Sequence, residues 1–223
     1  MKMVVVGGNC RDIGKTSVIA GLISALPLRN WTAIKLTQFG NGICSIDGHE
    51  CGCAPKEHPF AIQEEQDRSG KTDTSRFLAA GARRALWVRV RWGMLETVIP
   101  PLRRLIYSNP DNSDVACGGP VSACPGSDFI LESNSILRFF QPDLYLSVLD
   151  PAQKDFKVSA RQFLDRADAF LLHKHSLENP LWEGISVEQV WSKPVFFIRR
   201  NCFMTDEIVD FVETRLTTEQ IRR

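Results

Sequence analysis

The chain has 223 residues, 43% of them apolar and 24% charged, which is enough for one well-buried globular domain. Its 27 basic and 26 acidic side chains leave a net charge of +1, so no basic field favours nucleic acid or an anionic membrane surface. No apolar run reaches the roughly 18 residues that a membrane span needs, and Lys2 precedes too short an apolar run for a signal peptide. A cytoplasmic location is expected, with the seven cysteines reduced or metal-bound.

Residues 2–7 form a short apolar run that predicts a buried strand. A glycine-rich turn follows, then Gly14-Lys15-Thr16, then a helical pattern over 15–26 that ends before Pro27. Strand, glycine loop, Gly-Lys-Thr and helix form the context of a phosphate-cradling loop. Backbone N–H groups of Asn9, Asp12, Ile13, Gly14 and Ser17 are expected to line it, with Gly8 allowing close approach. Lys15 supplies a positive charge for β- and γ-phosphates, and the Thr16 hydroxyl a ligand for Mg²⁺. The spacing is unusual, because five residues separate Gly8 from Gly14 where four are standard. Arg11 lies within the loop, either as an arginine finger acting in its own subunit or across a dimer, or as a solvated side chain.

A second strand is expected over 31–37, with Lys35 near its end facing a phosphate or a substrate carboxylate. Regular patterning stops from about 38 to 71. Within that insertion Cys44, Cys51, Cys53 and His58 offer three thiolates and an imidazole, a set that suits tetrahedral Zn²⁺, with His49 in reserve. A helix over 73–82 follows, capped by Asp73 or Thr74; Asp73 is a second candidate for Mg²⁺ and Arg76 an anion clamp. A strand over 85–90 and an amphipathic stretch over 94–107 come next, with Pro100 and Pro101 expected to start or kink a helix.

Residues 109–127 are rich in Pro, Gly, Ser and Asp and read as a flexible connection. A fourth strand, 128–132, ends in Glu132, placed to hold Mg²⁺ directly or through water, or to orient an attacking water. Strands over 144–149, 169–173 and 194–198 alternate with helices over 159–167 and 205–221, the last capped by Thr205. Cys10 is expected to be within reach of solvent. His173-Lys174-His175-Ser176 stands where many GTP-binding proteins carry Asn-Lys-x-Asp, and only the lysine agrees. Continuous apolar strands alternating with helices predict an α/β fold: a mainly parallel sheet of about seven strands with helices on both faces, in one domain. Ligands of such sheets bind beyond the strand C-termini, where the loop, Lys35, Glu132 and His173 are all expected.

Two family resemblances meet on these residues. The loop from Gly8 to Thr16, followed by Lys35, resembles dethiobiotin synthetase, an ATP-dependent carboxylase whose corresponding lysine helps hold the substrate. Ala33-Ile34-Lys35, then Asp73-Thr74-x-Arg76 leading into Ala80-Gly81-Ala82, then a strand ending in Glu132, is similar to the GTP-binding adaptor of molybdopterin-guanine dinucleotide biosynthesis. Both imply a three-layer P-loop NTPase, a nucleotide bound with Mg²⁺, catalysis through Lys15, Glu132 and Lys35, and a homodimer. A small molecule or a protein partner is implied as the second ligand. The chain departs from the adaptor pattern at Leu36, where a histidine is usual, and at Ser133, where a glycine is. The cysteine-rich insertion belongs to neither family.

Overall fold

The computed structural model describes residues 1–40, 59–107, 126–174 and 180–218. Among them are eight strands: β1 (Met3–Gly8), β2 (Thr32–Phe39), β3 (Phe60–Glu64), β4 (Arg84–Arg91), β5 (Phe129–Glu132), β6 (Leu144–Leu149), β7 (Ala169–His173) and β8 (Val195–Ile198). They lie in one sheet in the order β3-β4-β2-β5-β1-β6-β7-β8. The recorded pairings are parallel except β3 with β4, which run antiparallel. Six α-helices accompany them among the described residues: α1 (Lys15–Ala25), α2 (Asp73–Ala79), α3 (Leu95–Tyr107), α4 (Val158–Gln162), α5 (Val187–Trp191) and α6 (Asp206–Thr218). The expected α/β fold with a mainly parallel sheet is therefore present, with one strand more than predicted. None of the described helices is long and apolar enough to cross a membrane.

The chain divides into two compact units, one of Met1 with Arg29–Phe129 and one of Lys2–Leu28 with Ile130–Arg223. In the first, β2 and β4 pair over their full length, from Thr32 opposite Arg84 to Phe39 opposite Arg91. The extra strand, β3, adds to β4 in the stretch read as unpatterned. Most of its side chains are only half-buried, so Phe-Ala-Ile-Gln-Glu carries neither a continuous apolar run nor strict alternation. Helix α2 is capped by Thr72, not by Asp73 or Thr74. The Thr72 hydroxyl accepts from the Ser75 N–H at 3.1 Å, and the Ser75 hydroxyl accepts from the Thr72 N–H at 2.8 Å. Helix α3 contains Pro100 and Pro101 in its interior, so neither starts it. Leu95, Val98, Ile99, Leu102, Leu105 and Ile106 are buried along one face, and this packing outweighs the missing proline N–H groups.

Arg84 ties β3 to β4 with a two-pronged bond, Nε to Glu64 Oε1 and Nη2 to Glu64 Oε2, each 2.7 Å. The guanidinium lowers the Glu64 pKa, so this pair's stability is present above the ordinary carboxylate range and fades as pH falls through the lowered value. Arg84→Met is expected to cost about 1 kcal/mol at neutral pH and progressively less below pH ~4. Urea denaturation at both pH values checks this, and an equal cost at both would contradict it.

In the second unit every residue of β1, β6 and β7 is buried. Successive side chains point to opposite faces, so both faces of these strands are covered. The predicted helix over 159–167 resolves into α4 and a 3₁₀ turn at Leu164–Arg166. The backbone carbonyl of Thr205 accepts from Ile208 and Val209, while its buried hydroxyl makes no hydrogen bond, so Thr205 is not a side-chain cap.

Candidate functional site

Strand β1 delivers the chain into the loop at Gly7 and Gly8, where there is no space for side chains. A Cβ on Gly7 would lie 2.1 Å from Asn134 Oδ1, and one on Gly8 would lie 2.7 Å from the Val148 carbonyl oxygen. Gly8 is clasped by Asn134: its N–H donates to Oδ1 at 2.8 Å and its carbonyl accepts from Nδ2 at 2.9 Å. Asn9 is fully buried. Its N–H donates to the Val148 carbonyl at 3.1 Å, and its side chain accepts from the Asp150 N–H at 3.0 Å and donates to the Asp155 carbonyl at 3.2 Å. Asn9 was expected to face phosphate; instead it braces the loop against the segment after β6.

Asp12 has φ 55°, a left-handed conformation that a non-glycine residue rarely adopts, and both it and Arg11 are exposed. Gly14 has φ 89° and stands at the N-cap of α1, where it offers the helix no side-chain cap. The Phe203 ring packs on Gly14 and meets His173 edge-on at 5.8 Å. His173 Nε2 donates to the carbonyl of buried Ile13 at 2.8 Å, which fixes the proton on that nitrogen. Ser17 is half-buried in the first turn of α1.

Lys15 folds back over the loop, donating from Nζ to the Cys10 carbonyl at 2.7 Å. Behind it the Thr16 hydroxyl donates to Glu132 Oε2 at 2.8 Å, and both residues are buried. A hydroxyl and a carboxylate in contact are hard oxygen donors of the type Mg²⁺ takes, leaving further positions for water and phosphate oxygens. Their pairing fits the ion that the motif predicts.

Cys10 is buried, contrary to its expected exposure, and burial pushes its thiol up to about 11 against the pull of Lys15 and Lys157. It is held as the unreactive thiol.

The first unit holds the other candidates. Lys35 is not at a strand end. It is the fourth residue of β2, which continues through Leu36, Thr37, Gln38 and Phe39. Its ammonium forms an ion pair with Asp73, and Arg76 Nη1 lies 4.0 Å from the same carboxylate. Asp73, named beside Thr16 and Glu132 for Mg²⁺, thus has cationic partners of its own. Cys44, Cys51, Cys53, His49, His58, His175 and Ser176, and residues 109–125 of the predicted connection, lie outside the described residues. Among the described residues no group of three or more His, Cys, Asp or Glu side chains is assembled for a metal.

Sequence reading missed Asn134 and Lys157 as parts of the loop's surroundings. A turn asparagine just after Glu132 was the only available signal for the first.

No family model matches the chain, and no curated protein matches it. Among solved structures it is similar to HypB from Helicobacter pylori in complex with nickel, with TM-score 0.47 and 12% identity, covering 96% of this chain and 87% of that one. It is also similar to LpxK from Aquifex aeolicus in complex with ATP, with TM-score 0.44 and 17% identity, covering 88% of this chain and 53% of that one. Both likenesses are loose in sequence and in shape. The α/β assignment rests on the sheet and on the strand–glycine loop–helix unit themselves.

Proposed function

We propose that the protein binds a nucleoside triphosphate with Mg²⁺ in the loop between β1 and α1 and promotes cleavage or transfer of its terminal phosphoryl group. The observation that carries this reading is the buried Thr16–Glu132 contact directly behind Gly14 and Lys15. Loop and helix N–H groups receive phosphate oxygens. Lys15 exchanges the Cys10 carbonyl for a phosphate oxygen. Thr16 and Glu132 hold Mg²⁺, directly or through water. The ion neutralises charge that develops on the phosphoryl oxygens.

Within this reading the protein acts as a GTP-binding adaptor in cofactor assembly. Lys35, Asp73 and Arg76 belong to the segment that resembles that family, and they form one charged cluster in the first unit, suited to a second ligand or partner. The five-residue interval between Gly8 and Gly14 favours a second reading, an ATP-dependent ligase acting on a carboxylate substrate.

Titration with non-hydrolysable ATP and GTP analogues, with and without Mg²⁺, separates the two. Tight, Mg²⁺-dependent GTP binding supports the adaptor, and ATP preference supports the ligase. Binding of neither overturns the nucleotide reading. Glu132→Gln is expected to retain nucleotide binding while lowering Mg²⁺-dependent turnover on the order of a hundredfold.

A further inference from the structure

The segment after β6 brings a third cation to the loop. Lys157 immediately precedes α4, and its backbone N–H donates to the Asn9 carbonyl at 2.8 Å. The Asn9 side chain holds Asp150 and Asp155 of the same segment. Lys157 is therefore tied to the loop by backbone on one side and by a buried asparagine on the other. Its side chain is half-buried, and its ammonium makes no hydrogen bond or ion pair with any described residue.

The groups that act on this ammonium are few. Lys15 and Arg11 repel it, and Cys10 and Asp155 oppose them. Cys10 is a protonated thiol, and Asp155 is exposed to solvent. Asp150, which acts on Cys10 from the same segment, already accepts from the Ala152 N–H at 3.0 Å. Lys157 thus stands beside two like charges, and neither Asp150 nor Asp155 forms an ion pair with its ammonium. Burial first, then Lys15 and Arg11, lower the Lys157 pKa from 10.5 to about 8. Between those values the unfolded chain binds more protons than the folded one. The protonated ammonium therefore costs stability below pH ~8, and the cost fades as pH rises. A polyanion bound in the loop offsets that cost.

We propose that Lys157 is a second phosphate-binding ammonium of this loop, contacting triphosphate oxygens together with Lys15. The proposal rests on the reading that the loop binds a triphosphate.

The test is calorimetric titration with the Mg²⁺ complexes of non-hydrolysable ATP and GTP analogues, in two buffers of different ionisation enthalpy. Lys157→Gln is expected to bind the preferred analogue on the order of tenfold more weakly at pH 7. Lys157→Arg is expected to retain affinity. The wild-type protein should take up a proton on binding at pH 8 and bind more weakly as pH rises toward 9.5, and Lys157→Gln should do neither. Without ligand, Lys157→Gln should melt about 2–4 °C above the wild type. If the wild type binds and Lys157→Gln matches it in affinity and proton uptake, Lys157 has no phosphate role and the loop reading stands. If the wild type binds neither analogue, both fall. Should Lys157→Gln not fold, the wild-type pH profile decides, and flat affinity with no proton uptake overturns the proposal.

Discussion

Lys15→Ala is expected to lower triphosphate affinity by about a hundredfold or more, while changing the melting temperature of the ligand-free protein by about 2 °C or less. The asymmetry follows from where the ammonium sits. In the ligand-free loop it donates to the Cys10 carbonyl at 2.7 Å, and water can take that place because Lys15 is only half-buried. With a triphosphate it meets two charged oxygens, each charge-assisted bond worth about 1.5–3 kcal/mol. Two such bonds correspond to roughly a hundred- to a thousandfold or more in affinity. Isothermal calorimetry and thermal melting of the same preparations check both halves. Unchanged affinity would remove the loop from consideration as the nucleotide site.

Gly14→Ala is expected to destabilise the protein by about 2–4 kcal/mol, a fall of roughly 5–10 °C in melting temperature. Two costs combine. A side chain at φ 89° sits in the left-handed region, which costs on the order of 1–2 kcal/mol for a residue with a Cβ. That Cβ would also lie 1.9 Å from Cε1 of Phe203, so the ring must move away from the loop and from His173. Removing the ring separates the costs. In a double-mutant cycle with Phe203→Ala, the steric part should vanish and the backbone part remain, a coupling of about 1 kcal/mol or more. Additive losses would show that Phe203 yields freely and that backbone conformation alone requires glycine at this position.

How much of this was legible in the sequence depended on how local the physics was. Strands β1, β6 and β7 are covered on both faces, so each needed an unbroken apolar run, and each was readable from it. The Gly-Lys-Thr loop was readable because its chemistry lies in a few consecutive residues. Strand β3 is only half-buried, and five such residues carry no decisive period. Lys35 was displaced from its expected place because β2 runs past the expected end at Thr37 through Gln38 and Phe39, and the polarity of Gln38 imitates a strand end. The Thr72 cap was obscured because Asp73 and Thr74 beside it are equally good capping residues in isolation. Asn9 and Asn134 depend on partners 141 and 126 positions away, and no local pattern encodes a contact of that span. Lys157 was hidden for the same reason, since its charge matters only where the chain returns to the loop.

The braces on the loop also set an order of assembly. Gly8 is clasped by Asn134, Asn9 by Asp150, the Ile13 carbonyl by His173, and Gly14 is covered by Phe203. The glycine turn between β1 and α1 is thus finished by residues that emerge from the ribosome far later. A nascent chain that ends before Phe203 carries the whole Gly-Lys-Thr motif without the wall that shapes it. The loop therefore takes its final shape only once β6, β7 and the segment carrying Phe203 are in place, so its geometry is a product of the folded unit and not a template for it.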